Sequence, residues 1–417
     1  MSKQEKLLTG KNVVLGIQHL FAMFGATILV ASVTGLNPLV TLFSAGVGTL
    51  IFHFITKKMV PVFLGSSFAF ISALQTLTGW NDGNVTKEGI AAAGGAVIMA
   101  GVIYLLFALI VYLFGTDIIK KVFPPVVTGP IIIVIGIHLS PFAIADASAN
   151  WWVALFVIAV IVITMMFTKG FFKLVPILIG FAAGYVLCYI LDLAITTNFV
   201  NVAAISESPW LSFKAISEGN FFTLPKFRWD AILLLSPIAI VTVVEHIGDI
   251  TANGSVVGKD FYKEPGLHRT LIGDGIATML AGTIGGPPNT TYSENTGVLA
   301  VTRNYNPAVL RIAAVFAIIL SVFGKFGAML GAIPTPVKGG MCMILYGMIA
   351  SVGLRTLINA ELDFSHSRNL LIVALILVTG IGISVAGGIP IGNVTLSGVF
   401  VAALTGIILN LALPKDI

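Results

Sequence analysis

Apolar runs of about 20 residues, the length needed to cross a bilayer as a helix, follow one another along this chain with only short charged or Gly/Pro-rich punctuation between them. Breaking the chain at that punctuation gives roughly fourteen segments, with ends uncertain by a few residues. The longest polar excursion, from Asp192 to Asp230, divides them into near halves of seven. An odd number of spans per half forces the second half to insert upside down relative to the first, which is the architecture of inverted-repeat transporters. Composition agrees: 57% of residues are hydrophobic and only 10% are charged, far from the roughly 25% charge of soluble domains.

The expectation is therefore an all-α polytopic membrane protein. Its first inverted repeat would cover 1–192, an external connecting loop 193–228, and a second repeat 229–417. Segments expected near the repeat landmarks are roughly 60–78 and 287–301, the third of each half, and roughly 122–143, 307–326, 329–353 and 391–413. With the N-terminus inside, seventeen of the 23 lysines and arginines fall on the cytoplasmic side, a positive-inside bias that sets both termini in the cytoplasm. Lys3, Lys6 and Lys415 count towards it, Lys214 against it. The net charge of +5 is spread over short loops rather than gathered on one face, so nucleic acid is not an expected partner. The partner implied by hydropathy is membrane lipid. The lysine-bearing start, Met1 to Asn12, runs into a full-length span without an evident cleavage site and is expected to be a retained first helix. The two cysteines, Cys188 and Cys342, lie in separate apolar runs, which argues against a disulfide framework or a metal site.

The halves resemble each other locally. Phe123-Pro124-Pro125-Val126-Val127-Thr128-Gly129-Pro130 aligns with Ile333-Pro334-Thr335-Pro336-Val337-Lys338-Gly339-Gly340. Ser66-Ser67-Phe68-Ala69-Phe70 takes the place in its half that Thr290-Thr291-Tyr292-Ser293-Glu294 takes in the other. The third segment of each half is broken. Gly285, Gly286, Pro287 and Pro288 cannot continue a helix, because proline lacks an amide donor and drives the preceding residue extended. A short extended stretch and then a half-helix beginning near Asn289 to Thr291 are expected, and Val60 to Ser67 should do the same. Non-helical backbone at this depth is tolerable only against protein or a water-filled cavity, so the two breaks should face each other around one site, with half-helix amides ready for a polar ligand.

Two carboxylates, Glu245 and Glu294, stand in these apolar or broken stretches. At bilayer depth each costs several kcal/mol unless it faces a polar cavity, which makes both functional-site candidates. Asp249 follows Glu245 by one helical turn and shares its face, and two carboxylates so placed are expected to share a proton. His246 points elsewhere on that helix and is expected to support structure. His19 and His138 read as satisfied core histidines, and Asn295 as support for the broken backbone.

With Glu294-Asn295-Thr296-Gly297-Val298-Leu299-Ala300-Val301-Thr302-Arg303 in view, the chain resembles the nucleobase–ascorbate transporter family. Gln18-His19, Gly25-Ala26-Thr27, Gly65 to Phe70, Glu245-His246, Pro265-Gly266-Leu267-His268-Arg269 and Asn289 to Asn295 resemble its uracil-permease branch. The resemblance implies a core domain of spans 1–4 and 8–11 against a gate domain of spans 5–7 and 12–14. It further implies a site between them in which Glu245 and Glu294 hydrogen-bond a base, Phe68 packs on it, and Ala26, Tyr292 and Ser293 help line the pocket. Tyr346 and Cys342 would face it from the gate, and a homodimer is possible. Two positions depart from relatives. Asp249 stands where a related permease has histidine, and Cys342 replaces a serine.

The implied function is a proton-coupled uracil importer of the plasma membrane. Uracil alternates acceptors and donors around its edge, and a carboxyl group can accept from N–H and, when protonated, donate to C=O. An apolar ring such as Phe68 suits its face. The substrate is neutral, so accumulation needs a coupled cation. A proton on Glu245, Asp249 or Glu294 is the simplest, and sodium stays open. No organic cofactor or metal is expected. Rival readings are a carrier for xanthine, uric acid or another nucleobase, where relatives carry Gln in place of Glu294, and an anion exchanger or channel on the same plan, which cavity carboxylates disfavour. With no nucleophile elbow or phosphate loop, an enzyme ranks last.

Overall fold

The computed structural model describes residues 9–80, 84–170, 172–195, 197–211, 222–391 and 394–414. Lys3, Lys6, Lys214 and Lys415 of the charge bias, and the middle of the connecting loop, lie outside them. Apolar segments become helices because lipid offers their amides and carbonyls no partner but one another. The first repeat runs α1 (Gly10–Thr34), α2 (Pro38–Ile55), β1 (Leu64–Ser66), α3 (Ile71–Thr78), α4 (Lys87–Phe114), the short α5 (Asp117–Val122), α6 (Pro125–Ser148), α7 (Trp151–Phe167) and α8 (Pro176–Ile195). A short α9 (Val202–Glu207) lies in the connecting loop. The second repeat runs α10 (Trp229–Val257), α11 (Leu267–Ile284), β2 (Asn289–Thr291), α12 (Ser293–Thr302), α13 (Pro307–Leu320), α14 (Gly324–Gly331), α15 (Thr335–Asn359), α16 (Ser367–Val385), β3 (Ile389–Ile391), β4 (Val394–Leu396) and α17 (Gly398–Ala412). Among the described residues eight helices are long and apolar enough to cross a membrane and four shorter ones, including Phe68–Thr78, are apolar; α11 and α12 are the other two of the fourteen expected segments.

Local chemistry places many ends. The Asn37 side chain accepts from the amides of Leu39 and Val40, with Pro38 opening α2, and Asn306 with Pro307 does the same for α13. Both follow the preference for an Asn cap and a proline in the first turn.

The helices sort by packing into two sets: α1–α4 with α10–α13 and the β1–β2 pair, and α6–α8 with α15–α17. In the second set α6 and α15, which open at the aligned proline motifs, cross at close range. A Cβ on Gly136 would stand 2.6 Å from both Ala350 N and Tyr346 O, and one on Gly353 would stand 2.5 Å from Gly129 O. Small residues are what allow membrane helices to approach so closely.

The two breaks meet. β1 and β2 pair antiparallel, Leu64 with Thr291, Gly65 with Thr290 and Ser66 with Asn289. The ladder is symmetric about the Gly65–Thr290 pair, so it equates Gly65 with Thr290 and Ser66 with Thr291. The alignment read from sequence is thus shifted by one residue, because short polar strings carry too little pattern to fix a register that the hydrogen bonds of a ladder do fix. The second half-helix also starts later than expected, at Ser293, since Asn289 to Thr291 are spent on the strand.

Two further boundaries move. The segment expected at 391–413 opens with the exposed hairpin β3–β4, Ile389 paired with Leu396, and turns helical only at Gly398. Between 307 and 353, the chain breaks twice rather than once, with α14 inserted between α13 and α15.

Candidate functional site

Crossing strands at mid-membrane depth leave peptide groups that need partners, and side chains of the neighbouring helices supply them. Thr49 of α2 donates to Leu64 O at 3.3 Å and accepts from Leu64 N at 2.9 Å. Thr278 of α11 donates to Asn289 O at 3.0 Å. Leu64 and Asn289 are the first residues of the two strands, so each repeat caps its own strand with a threonine from its own second span. His53 reaches Val62 O at 2.8 Å, and Asn253 donates to Pro61 O and to Thr296 Oγ1, each at 3.0 Å. Asn289 holds Ala277 O at 3.1 Å and Ser44 O at 3.3 Å. These bonds let an irregular backbone persist in a region without bulk water.

The first repeat brings Phe68, half-buried, at the start of a tight turn of helix, Phe68–Phe70, that leads into α3. The second brings Ser293 and Glu294 in the first turn of α12. Tyr292 is buried, and its ring lies against Gly65 where any side chain would overlap it. Its hydroxyl donates to Ser66 O at 2.8 Å and accepts from Thr27 Oγ1 at 3.3 Å. The Tyr292 side chain therefore locks the strand crossing to α1, beside the buried Ala26, and only its backbone remains to serve a ligand.

Helix α10 supplies the facing acids. Asp249 accepts from Thr291 Oγ1 at 2.8 Å and from Ser293 Oγ at 2.5 Å, which ties α10 to the start of α12. Ser293, expected to line the pocket, thus has its hydroxyl directed at Asp249. Glu245, one turn away, is accessible despite its place in the middle of an apolar helix. The charges acting on it are Asp249, Glu294 and Asp274, which sets it among the other acids of the site.

His246 faces the opposite way. Its Nε2 meets Thr270 Oγ1 at 3.0 Å and its Nδ1 lies 2.8 Å from Asp274 Oδ2, with both side chains fully buried. The Nδ1 contact is close enough for an ion pair but lacks hydrogen-bond geometry. Asp274 was missed in the sequence, although a carboxylate in an apolar run was the signal that found Glu245. Asn295 donates to His19 O at 3.0 Å and lies 3.1 Å from His19 Nδ1, fastening α12 to α1.

Tyr346 and Cys342 are a turn apart on α15 and buried. The carboxylate acting on them is Asp146. The structure therefore brings Glu245, Asp249, Glu294 and Ser293 together at the broken segments, with Phe68 on the first-repeat side, while Tyr346 and Cys342 are buried on α15 in a core cluster that also holds Ala26 and Tyr292. Among the described residues no three His, Cys, Asp or Glu side chains are grouped as metal ligands.

Comparison with known proteins adds the following. A family model described as Permease family, Xan_ur_permease, matches residues 10–388. The probable uracil permease of Haemophilus influenzae is 44% identical over 410 residues, covering 96% of this chain and 94% of that protein. The uracil permease of Bacillus caldolyticus is 40% identical over 426 residues, with 99% and 94% covered. Among solved structures, the transmembrane domain of the cyanobacterial bicarbonate transporter BicA superposes with a TM-score of 0.59 at 15% identity, over 95% of this chain and 97% of that one. At that identity the likeness is one of fold.

Proposed function

This chain belongs to that permease family, the nucleobase–ascorbate transporters, and on that premise we propose that it is a uracil permease of the cell membrane that takes up the base together with a proton. The observation that carries the reading is the convergence of Glu294, at the start of a half-helix, with Glu245 across the cavity and Phe68 on the opposing repeat. Two carboxyl groups can read the alternating edge of uracil, and a phenyl ring offers its face an apolar wall. The uracil-permease names of full-length relatives support the same substrate.

Asp249 has both oxygens engaged as acceptors from Thr291 and Ser293. The coupled proton is therefore assigned to Glu245, which stands among Asp249, Glu294 and Asp274. The first helix set would act as the core that carries the site and the second as the gate against which it moves. The positive-inside bias supports a cytoplasmic position for both termini. An anion carrier on the same fold would need a cationic site, and this one is acidic.

The test is uptake of labelled uracil into vesicles with and without an imposed inward proton gradient, in sodium-containing and sodium-free media, competed by xanthine, uric acid and thymine. Uptake driven by the proton gradient and blocked best by unlabelled uracil is expected. Stronger competition by xanthine or uric acid would remove the uracil assignment, and uptake driven by sodium alone would remove the proton.

A further inference from the structure

The seam between the two helix sets is closed on one side of the site and open on the other. On one side, α3 reaches across. Ser72 and Thr76 share one face of α3, and Trp80 follows just past Gly79, which ends the helix in a left-handed conformation. Ser72 Oγ lies 2.7 Å from Nε2 of His138 on α6, and the His138 ring also meets Phe142 edge-on at 6.5 Å. Two turns further out, Lys338 Nζ of α15 sits as a cation over the Trp80 ring, 5.2 Å from its centroid. Both contacts join an element of the first set to a helix of the second.

On the other side of Glu245 the α10 residues Gly248, Thr251, Ala252 and Ser255 are exposed. Thr251 and Ser255 also line a cavity of about 400 Å³ with Lys259 and Tyr262. Gly248 on α10, Gly297 on α12 and Gly347 on α15 each have open space where a Cβ would stand, so helices of both sets are unpacked at these positions. With the orientation proposed above, the closed side is external and the open side cytoplasmic.

We infer that Ser72 with His138, and Trp80 with Lys338 above them, form the external latch of the transport cycle, holding the carrier open to the cytoplasm and parting each time the site faces outward. These are positioning residues: they act on the equilibrium between the two states and not on the base. The inference rests on the transporter reading and on its orientation, and its test separates the two.

Apparent affinity for external substrate is reduced by the fraction of carriers that do not face it. Weakening the latch should therefore improve the apparent affinity. Ser72→Ala and His138→Ala are each expected to lower the KM for external uracil about threefold or more, the scale of one lost hydrogen bond. The double variant should do no more than either alone, because they share one bond. Lys338→Gln should lower KM less, and Ser72→Thr, which keeps the hydroxyl, should match the parent. A role in folding alone would not improve KM.

The second arm acts within one protein. Ser72→Cys places a thiol beside His138, a pair of donors that zinc ligates at about 2.3 Å to sulfur and 2.0 Å to nitrogen. Zinc should block uracil uptake by Ser72→Cys, chelation should restore it, and Ser72→Cys with His138→Ala should need at least about tenfold more zinc. Unchanged or raised KM in both alanine variants at parental membrane levels would overturn the latch, as would equal zinc sensitivity with and without His138. If the alanine variants fail to reach the membrane, the zinc arm decides. If the parent takes up no uracil, the substrate reading falls. The latch is then read from Ser72→Cys combined with Ser255→Cys, whose labelling from the cytoplasmic face by an impermeant maleimide should rise with zinc, no rise overturning it.

Discussion

The two broken segments share a backbone plan and differ in chemistry. β1 and β2 pair residue for residue about Gly65 and Thr290, and each takes a threonine cap from its own repeat. Beyond the strands they diverge. The first repeat continues with Ser67, Phe68, Ala69 and Phe70, without an ionisable group. The second continues with Tyr292, Ser293 and Glu294, and is bound through Thr291 and Ser293 to Asp249. A neutral planar ligand needs both an apolar wall and a hydrogen-bonding edge, and the inverted repeat lets one half specialise in each while the shared ladder holds them in register.

The largest expected effect falls on what the halves share. Gly65→Ala would push a methyl group into the Tyr292 ring at the centre of the ladder, and overpacking a site held by backbone on both sides costs about 3 kcal/mol or more. Little folded protein should be recovered from membranes by detergent extraction and gel filtration. Normal recovery would mean that the crossing has slack.

Next comes the polar half. Glu294→Gln keeps shape but removes an acceptor oxygen, and losing a hydrogen bond to a charged or polarised partner costs about 1.5 to 3 kcal/mol. Binding of labelled uracil by the purified variant should weaken roughly ten- to hundredfold, with thermal stability in detergent near that of the parent. Equal binding would take Glu294 out of the site.

The apolar half should matter less. Phe68→Ala is expected to cost about 1 kcal/mol, or roughly fivefold in uracil affinity. Phe107→Ala, on α4 against Phe123, should leave affinity unchanged. If both variants bind uracil alike, the division of labour between the repeats fails.

A last difference, of about 1 kcal/mol between two variants, sharpens the comparison of caps. Thr49 both accepts from Leu64 N and donates to Leu64 O, whereas Thr278 only donates to Asn289 O. Thr49→Val should therefore destabilise by about 2 kcal/mol and Thr278→Val by about 1 kcal/mol, measured as the difference in thermal unfolding of the two variants in one detergent. The reverse order would show that the strands are not held as the geometry suggests.

Much of the fold was legible because the cost of lipid is local. Fourteen segments, their breaks at Pro61 and at Pro287 and Pro288, and the intramembrane acids Glu245 and Glu294 all follow from residue type, run length and the expense of an unpaired polar group. The odd number of spans per half then required inversion. Where local signals are weak, sequence and structure part: the polar strings at Ser66 and Thr290 align one residue out of the register of the ladder, and the hairpin before Gly398 reads by hydropathy as the start of a span.

Other features belong to the tertiary structure alone. No local pattern says that Tyr292 should cross beneath Gly65, that Asp274 should meet His246, that Asp249 should be held by Thr291 and Ser293, or that His138 should reach Ser72. Each joins residues far apart in the chain, and such contacts are selected by how whole helices pack once formed. The sequence by itself determined which groups could not face lipid. Only the packed structure decided which of them face one another, because burying a polar group demands a partner but does not name it.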